Sequence, residues 1–111
     1  MINKFKNAFK GGFIAFKDKS IIIQMILGLI TIVFGLIFRF SYEEWLAVLI
    51  CVGLVISLEI FNTCIEKTCD LISTKKDERI RVIKDLSSFG VLFMCFISLI
   101  IFIIIVVRRF L

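Results

Sequence analysis

The 111-residue chain contains no histidine and no proline. Without histidine the commonest general base is missing, so acid–base chemistry falls to a carboxylate or a lysine, and no zinc site can be completed by an imidazole. Without proline, no residue of that type interrupts a long helix. The sequence G-x-x-x-x-G-K-[ST] is missing as well, which excludes the nucleotide-binding proteins that use a P-loop.

Cysteine is sparse, and its four positions follow no metal-binding or redox spacing. Cys51, Cys64, Cys69 and Cys95 form no C-x-x-C pair, so we expect them to act as small apolar side chains within helices. Acidic residues are fewer than basic ones, 9 against 14, and the formal net charge is +5. Because the basic residues flank apolar runs, we expect them to meet anionic lipid head groups, and we expect no nucleic-acid partner.

Apolar residues dominate the composition: they make up 60% of the chain and include 13 Phe, and the mean hydropathy is +1.08. A soluble domain of this size cannot hide so much apolar surface, and the runs exceed the about ten residues of a barrel strand. The sequence predicts one all-α membrane domain over residues 1–111. Its predicted parts are an N-terminal amphipathic surface helix at 1–18 and transmembrane helices at 20–40, 42–73 and 85–107.

The first predicted helix carries Phe side chains every three or four residues and four Lys among them. Such a helix fits the membrane interface, with rings in the acyl region and ammonium groups at the phosphates. The alternative is a positively charged tail that only sets topology. Between the first two spans, Ser41 is the predicted N-cap, and Glu43 and Glu44 favour the first turn of the next helix.

Lysine and arginine counts predict the orientation in the membrane. Five Lys precede the first span, and five basic residues lie in the predicted loop region 73–85, where 73–83 is hydrophilic. The other side has only Arg39, Arg108 and Arg109. By the positive-inside rule, the N-terminus and the 73–85 loop are cytoplasmic in a cell membrane.

The most informative segment is 59–70, which directly follows a charge-free run at 45–58. At about 100° per residue, five polar side chains fall within about 100° of arc on one helix face. They are Glu59, Asn62, Thr63, Glu66 and Asp70. Ionisable groups at membrane depth are costly and mark functional sites. The alternative, a helix simply leaving the bilayer, accounts for Asp70 alone but not for Glu59.

Carboxylates grouped with an amide and a nearby lysine suit phosphoryl transfer assisted by Mg²⁺, because Mg²⁺ prefers carboxylate and phosphate oxygens. A proton or ion pathway is an alternative, but it needs polar groups spread across the bilayer, and the first and third spans nearly lack them. Another alternative is a non-catalytic membrane adaptor, in which the acidic face only mediates helix contacts.

Three stretches resemble a known family. The segment Glu59-x-x-Asn62-Thr63-x-Ile65-Glu66-x-x-Cys69-Asp70 resembles the signature of the prokaryotic diacylglycerol kinase and undecaprenol kinase family. Lys84-Asp85 resembles its second motif, and the N-terminal Phe5–Gly11 and Ala15-Phe16-Lys17 resemble its surface helix. The resemblance implies a small three-span lipid kinase that acts as a homotrimer, with sites shared between neighbouring subunits.

The resemblance also implies roles for individual residues. Glu59 would be the general base and would contact the lipid hydroxyl, and Ser88 would contact the lipid. Glu66 and Asp18 would bind the divalent cation. Residues implied to bind ATP are Asn7, Asp18, Asn62, Glu66, Asp70, Lys75, Lys76, Asp77, Lys84 and Asp85. The position of the second metal ligand stays open between Asp18 and Lys19, because counting from Glu59 and from Gly11 gives different registers.

The sequence therefore predicts a kinase that uses ATP and Mg²⁺ to phosphorylate a membrane lipid alcohol. Undecaprenol is the favoured substrate, diacylglycerol is the alternative, and a membrane adaptor is the alternative of another class. In a single subunit we expect the polar stripe to face lipid in part, which is unfavourable for unpaired carboxylates. Four glycines, Gly28, Gly35, Gly53 and Gly90, are expected to let a neighbouring copy approach closely.

Overall fold

The computed structural model describes residues 1–73 and 75–111 and contains four α-helices in that part of the chain. They are α1 (Ile2–Ala15), α2 (Lys19–Ile37), α3 (Tyr42–Ile72) and α4 (Glu78–Phe110). No strand occurs among these residues, which confirms the all-α prediction. Helices α2, α3 and α4 are long and apolar enough to cross a membrane. Thr74, in the predicted hydrophilic loop, lies outside the described residues.

Helix α3 begins where the sequence predicts, because its first turn is capped in both directions. The Ser41 hydroxyl accepts from the Glu44 backbone N–H at 3.2 Å, and the Glu44 carboxylate accepts from the Ser41 N–H at 2.8 Å. This capping box satisfies two backbone donors that an open helix end leaves without partners.

Helix α4 begins at Glu78, not at residue 85 as predicted, so most of the predicted loop is helical. The Asp77 side chain caps the helix by accepting from the Arg79 N–H at 2.9 Å. Arg81 then pairs with Glu78 three residues before it and with Asp85 four residues after it. These ion pairs stabilise an exposed helical turn. The many charges of this segment do not by themselves indicate a helix.

Helix α2 ends at Ile37, three residues before the predicted end, because the chain turns at Arg39. Arg39 adopts a left-handed φ of 53°, and the Phe40 N–H returns to the Gly35 carbonyl at 3.0 Å. The Phe40 ring also packs edge-on against Phe34, with centroids 5.9 Å apart. This is the hydrogen bond and apolar contact of a Schellman motif.

Helix α3 packs against both α2 and α4, and aromatic rings join α2 to α4 directly. Phe34 meets Phe102 with centroids 5.2 Å apart. Two glycines of α2 bring α3 close: a Cβ at Gly28 would lie 2.8 Å from Val52 Cγ1, and one at Gly35 would lie 2.8 Å from the Trp45 ring.

The glycines therefore divide into two classes. The prediction that Gly28 and Gly35 face a neighbouring copy is wrong, because both are buried against this chain's own α3. At Gly53 and Gly90 a Cβ would meet nothing within 4 Å, so only these two of the four predicted positions are open.

Opposite ends of the bundle carry different polar groups. At one end the Arg109 guanidinium pairs with Glu44 at 3.1 Å, donates to the Arg39 carbonyl and lies 5.4 Å above the Phe40 ring. This cluster joins the ends of α2 and α4 to the start of α3. The other end contains the start of α2, the end of α3 and the start of α4, and it holds the predicted site.

Helix α1 is exposed along its length except at Ala15. Its three Phe side chains, at positions 5, 9 and 13, and that of Phe16 just after it are all exposed. Its position at a membrane interface stays a prediction.

Candidate functional site

The polar stripe of α3 runs from the interior of the bundle to its surface. Glu59, Asn62 and Thr63 are buried, with relative exposures of 7%, 7% and 8%, whereas Glu66 is half-buried and Asp70 is exposed. The expectation that a single subunit leaves these carboxylates facing lipid is therefore wrong for Glu59, which its own chain buries. A carboxylate in an apolar interior is costly unless it is paired or hydrogen-bonded, so its presence there points to a functional role.

Asn62 and Glu66 form the middle of the stripe. They are one helical turn apart, and the Asn62 Nδ2 donates to Glu66 Oε1 at 3.1 Å. An ionised carboxylate only accepts hydrogen bonds, so this contact fixes the orientation of the Asn62 amide and directs its Oδ1 away from Glu66. That oxygen is buried and has no hydrogen-bond partner in the described part of the chain. The pair thus holds a carboxylate and an unpartnered amide oxygen within one turn of α3.

Asp70 and Lys84 join α3 to α4 at the outer end of the stripe. The Lys84 Nζ donates to Asp70 Oδ1 at 2.7 Å across 14 residues of sequence. The Lys84 ammonium is also close enough to Glu66 for the two charges to influence each other. The structure therefore brings together the two motifs that the sequence places far apart.

Asp18 caps α2 and lies near the end of α3. Its Oδ1 accepts from the Ser20 N–H, the Ser20 hydroxyl and the Ile21 N–H, at 3.1, 2.6 and 3.3 Å. The pKa of Asp18 is lowered chiefly by the Ser20 hydroxyl; slight burial opposes this, and Lys67 of α3 adds a smaller lowering effect. All three hydrogen bonds reach Oδ1, which leaves Oδ2 without a partner among them.

Other residues implied by the resemblance lie outside this cluster in the described structure. Asp77 caps α4 and pairs with Arg79 at 3.0 Å, and Asp85 pairs with Arg81 at 2.9 Å. The remaining ones are exposed and make no side-chain contact with the stripe that the structure records: Asn7, Lys75, Lys76 and Ser88.

Three residues near the stripe escape prediction from sequence. Lys67 lies close enough to Asp18 to influence its charge, but a lone lysine near a helix end gives no signal for this. Cys95 of α4 and Gln24 of α2 line the same cleft as Val55, which is one turn before Glu59 on α3. Only the packing of three helices brings these residues together.

Comparison with known proteins gives two matches. A family model described as prokaryotic diacylglycerol kinase matches residues 6–106. An undecaprenol kinase of Bacillus subtilis (strain 168) is 35% identical over 72 residues, which cover 61% of this chain and 58% of that protein. The chain thus spans less than two thirds of that relative's length. No solved structure matches.

Proposed function

Because the chain belongs to the prokaryotic diacylglycerol kinase family, we propose that it transfers the γ-phosphate of ATP to the hydroxyl of a membrane lipid alcohol. The chain is a multi-pass membrane protein, with three apolar helices long enough to span. The observation that carries the proposal is the buried Glu59 at the inner end of a polar face that leads outward to the Asp70–Lys84 pair.

Glu59 is the general base in this proposal. A lipid hydroxyl that reaches it from the bilayer gives its proton to the carboxylate, and the lipid oxygen attacks the γ-phosphorus. The bond from that phosphorus to the β–γ bridging oxygen breaks, and ADP leaves. A positioned base contributes about 10²–10⁴-fold to such a step. Burial supports the role, because it keeps competing water away from the attacked phosphorus.

Lys84 is the proposed phosphate ligand. Its ammonium is held by Asp70 and is only about one third exposed, which places a positive charge at the outer end of the stripe. Phosphate oxygens would bind the Lys84 ammonium in place of Asp70 or together with it, since a lysine ammonium has three donors. Phosphoryl transfer depends mainly on such positioning and charge stabilisation.

The oxygen atoms of the stripe fit Mg²⁺. No cluster of three or more His, Cys, Asp or Glu side chains that could hold a metal is present among the described residues. Mg²⁺ does not need one, since it uses one or two carboxylates together with phosphate oxygens and water. Glu66 and Asp18 are the proposed carboxylate ligands, beside the unpartnered Asn62 Oδ1. When bound, Mg²⁺ would neutralise charge on the ATP phosphates.

Asp18 is favoured over Lys19 as the second ligand. The small effect of Lys67 on the pKa of Asp18 supports a place for this carboxylate near the end of α3 that carries Glu66, whereas Lys19 is an exposed cation. Around this centre we propose that further residues border the nucleotide or lipid, as the resemblance implies. They are Asn7, Asn62, Asp70, Lys75, Lys76, Asp77 and Asp85 for ATP and Ser88 for lipid.

We propose undecaprenol as the lipid, with diacylglycerol as the alternative. The relative from Bacillus subtilis, which carries the name undecaprenol kinase, supports this choice. The proposed site opens on the cytoplasmic side of the cell membrane, where ATP is available. Lysines preceding α2 and basic residues around the α3–α4 connection support that orientation. A homotrimer with shared sites is also part of the proposal, and the open Gly53 and Gly90 positions permit it.

The test is a lipid panel. Purified protein in mixed micelles receives Mg-ATP with undecaprenol, diacylglycerol or a long-chain alkanol, and the lipid products are identified by mass spectrometry. We expect undecaprenyl phosphate as the main product. Phosphatidic acid as the main product would show that diacylglycerol, and not undecaprenol, is the preferred substrate. If a folded preparation gave no phosphorylated lipid, the kinase proposal would be contradicted.

A further inference from the structure

A cleft of about 280 Å³ lies among α2, α3 and α4, deeper in the bundle than Glu59. Its lining is mostly apolar and comes from all three helices, including Gly28 of α2, Val55 of α3 and Leu99 of α4. None of these residues belongs to the polar stripe, so the cleft has no part in the chemistry described above.

On α3 the cleft continues the face that carries Glu59. Val55, Val52 and Val48 line it and precede Glu59 by 4, 7 and 11 residues. At about 100° per residue, all three lie within about 40° of Glu59 around the helix. Val55 is thus directly below the carboxylate by about 6 Å, and Val48 by about 16 Å.

On α4 the same continuity holds from Lys84. Cys95, Ser98 and Phe102 line the cleft and follow Lys84 by 11, 14 and 18 residues, which returns each of them to within about 40° of the Lys84 direction. Two helices therefore carry a polar site at one end of a face and the cleft further along that face.

We infer that this cleft binds the hydrocarbon chain of the lipid alcohol whose hydroxyl reaches Glu59, and that it admits one chain only. The inference rests on the proposed function. A cavity of about 150 Å³ holds one benzene molecule, so about 280 Å³ holds the first ten to twelve carbons of one chain. A glycerolipid would need to bring two chains and two esters into the same space.

One polar atom lies in the cleft. The Ser98 hydroxyl is buried and has no hydrogen-bond partner in the described part of the chain. A helical serine can bond the carbonyl four residues before it after a side-chain rotation, so an isoprenoid chain leaves this hydroxyl no worse off. An ester carbonyl would accept from it, so the single-chain part of the inference rests on the volume of the cleft and not on this hydroxyl.

The experiment uses photo-crosslinking with a diazirine-bearing geranylgeraniol in mixed micelles, followed by peptide mass spectrometry. Val55→Phe fills the cleft, and Val33→Phe is the matched control, an identical change at an exposed position of α2. We expect labels on cleft residues in the wild type. We expect about a tenfold loss of labelling and about a tenfold higher KM for the prenol in Val55→Phe, with no change in Val33→Phe.

Each outcome decides a separate point. Labels outside the cleft, or equal labelling of the two variants, would overturn the inference. Efficient competition by diacylglycerol would overturn its single-chain part. Labelling is also measured in Glu59→Gln, where binding persists without turnover. Labels in the cleft together with no lipid phosphorylation by the wild type would support the cleft and contradict the proposed function.

Discussion

At the residue scale, the site depends on how differently its carboxylates are placed. Glu59 is 7% exposed and lies among apolar helices, whereas Asp70 is exposed and paired with Lys84. A buried carboxylate beside the bilayer can take a proton from a lipid hydroxyl, and an exposed ion pair can exchange partners with phosphate. In the proposed function, the same side-chain chemistry therefore serves different roles at different depths along one helix face.

The first prediction concerns Glu59. Glu59→Gln keeps the shape of the side chain but removes the base, so we expect normal folding and assembly with lipid phosphorylation lower by about 10²–10⁴-fold. Glu43→Gln, the same change in the first turn of α3 at the other end of the bundle, is the control and should retain activity. Near-normal turnover by Glu59→Gln would remove this residue from the role of base.

The second prediction concerns Lys84. Lys84→Met removes the ammonium but keeps an unbranched side chain, so we expect the KM for Mg-ATP to rise about tenfold or more. Stability should change by less than about 1 kcal/mol, because exposed ion pairs contribute little. Lys6→Met on exposed α1 is the control. A large loss of thermal stability with unchanged KM would show that the Asp70 pair is structural.

The third prediction separates two roles of Asp18. Serine caps a helix about as well as aspartate, so Asp18→Ser should keep α2 stable, while Asp18→Ala should lose about 1 kcal/mol. Both should require more Mg²⁺ for half-maximal activity, as should Glu66→Ala, and Lys19→Ala should not. An effect of Lys19→Ala without one of Asp18→Ser would reverse the proposed register.

The lowered pKa of Asp18 also predicts a pH dependence. Its pKa lies below the ordinary value of 3.8, chiefly because of the Ser20 hydroxyl. The ionised cap therefore stabilises the folded chain fully above that value, and the contribution disappears as the pH falls through the folded-state pKa. The melting temperature of the wild type should therefore fall relative to that of Asp18→Ser below about pH 4. Parallel curves down to the folded-state pKa would contradict this.

At the scale of elements, α3 is the central helix, because it packs against both α2 and α4 and carries the candidate site along one face. Close contact with α2 depends on glycine: at Gly35 an added Cβ would lie 2.8 Å from ring atoms of both Phe40 and Trp45. Aromatic rings held between helices cannot move aside cheaply.

The fourth prediction compares two glycines. Gly35→Ala should destabilise the protein by about 1–3 kcal/mol through overpacking. Gly53→Ala meets nothing within 4 Å in the chain and should be neutral or stabilising by up to about 1 kcal/mol, because alanine favours helix. The measurement is thermal unfolding in detergent. If Gly53→Ala instead dissociates an oligomer, this position faces a neighbouring copy.

Much of the fold could be predicted from particular sequence signals. The long apolar runs predict three spans, and Ser41 with Glu44 predicts the start of α3. The early start of α4 could not be predicted, because its first turns are as charged as a loop and depend on the Asp77 cap and the Arg81 pairs. The stripe follows from helical spacing, but burial of Glu59 and the position of Lys67 beside Asp18 require tertiary packing.

At the scale of the whole molecule, the two ends of the bundle are built differently. One end is closed by the Arg109 cluster, in which Arg109 donates to the Arg39 carbonyl in the turn between α2 and α3. The other gathers acidic groups and Lys84 where three helices begin or end. An apolar cleft lies deeper among the same helices. This arrangement suits a water-soluble nucleotide at one end and a lipid that enters from the bilayer.

The fifth prediction concerns assembly. The proposed homotrimer should give, in mild detergent, a protein mass of three chains by light scattering combined with size exclusion. Mixing Glu59→Gln with Glu66→Ala subunits should leave activity low, because both residues lie on the same face of one α3. Recovery of activity on mixing would show that the base and the metal ligand come from different chains.

The most direct test of the kinase proposal follows the fate of the γ-phosphate. Purified protein in bilayers that contain undecaprenol receives ATP labelled at that phosphate, and the lipid fraction is separated and counted. We expect label in a lipid phosphate with the wild type and with Glu43→Gln, and almost none with Glu59→Gln. Label that stays in ATP or appears only as inorganic phosphate, with folded wild-type protein, would contradict the kinase proposal.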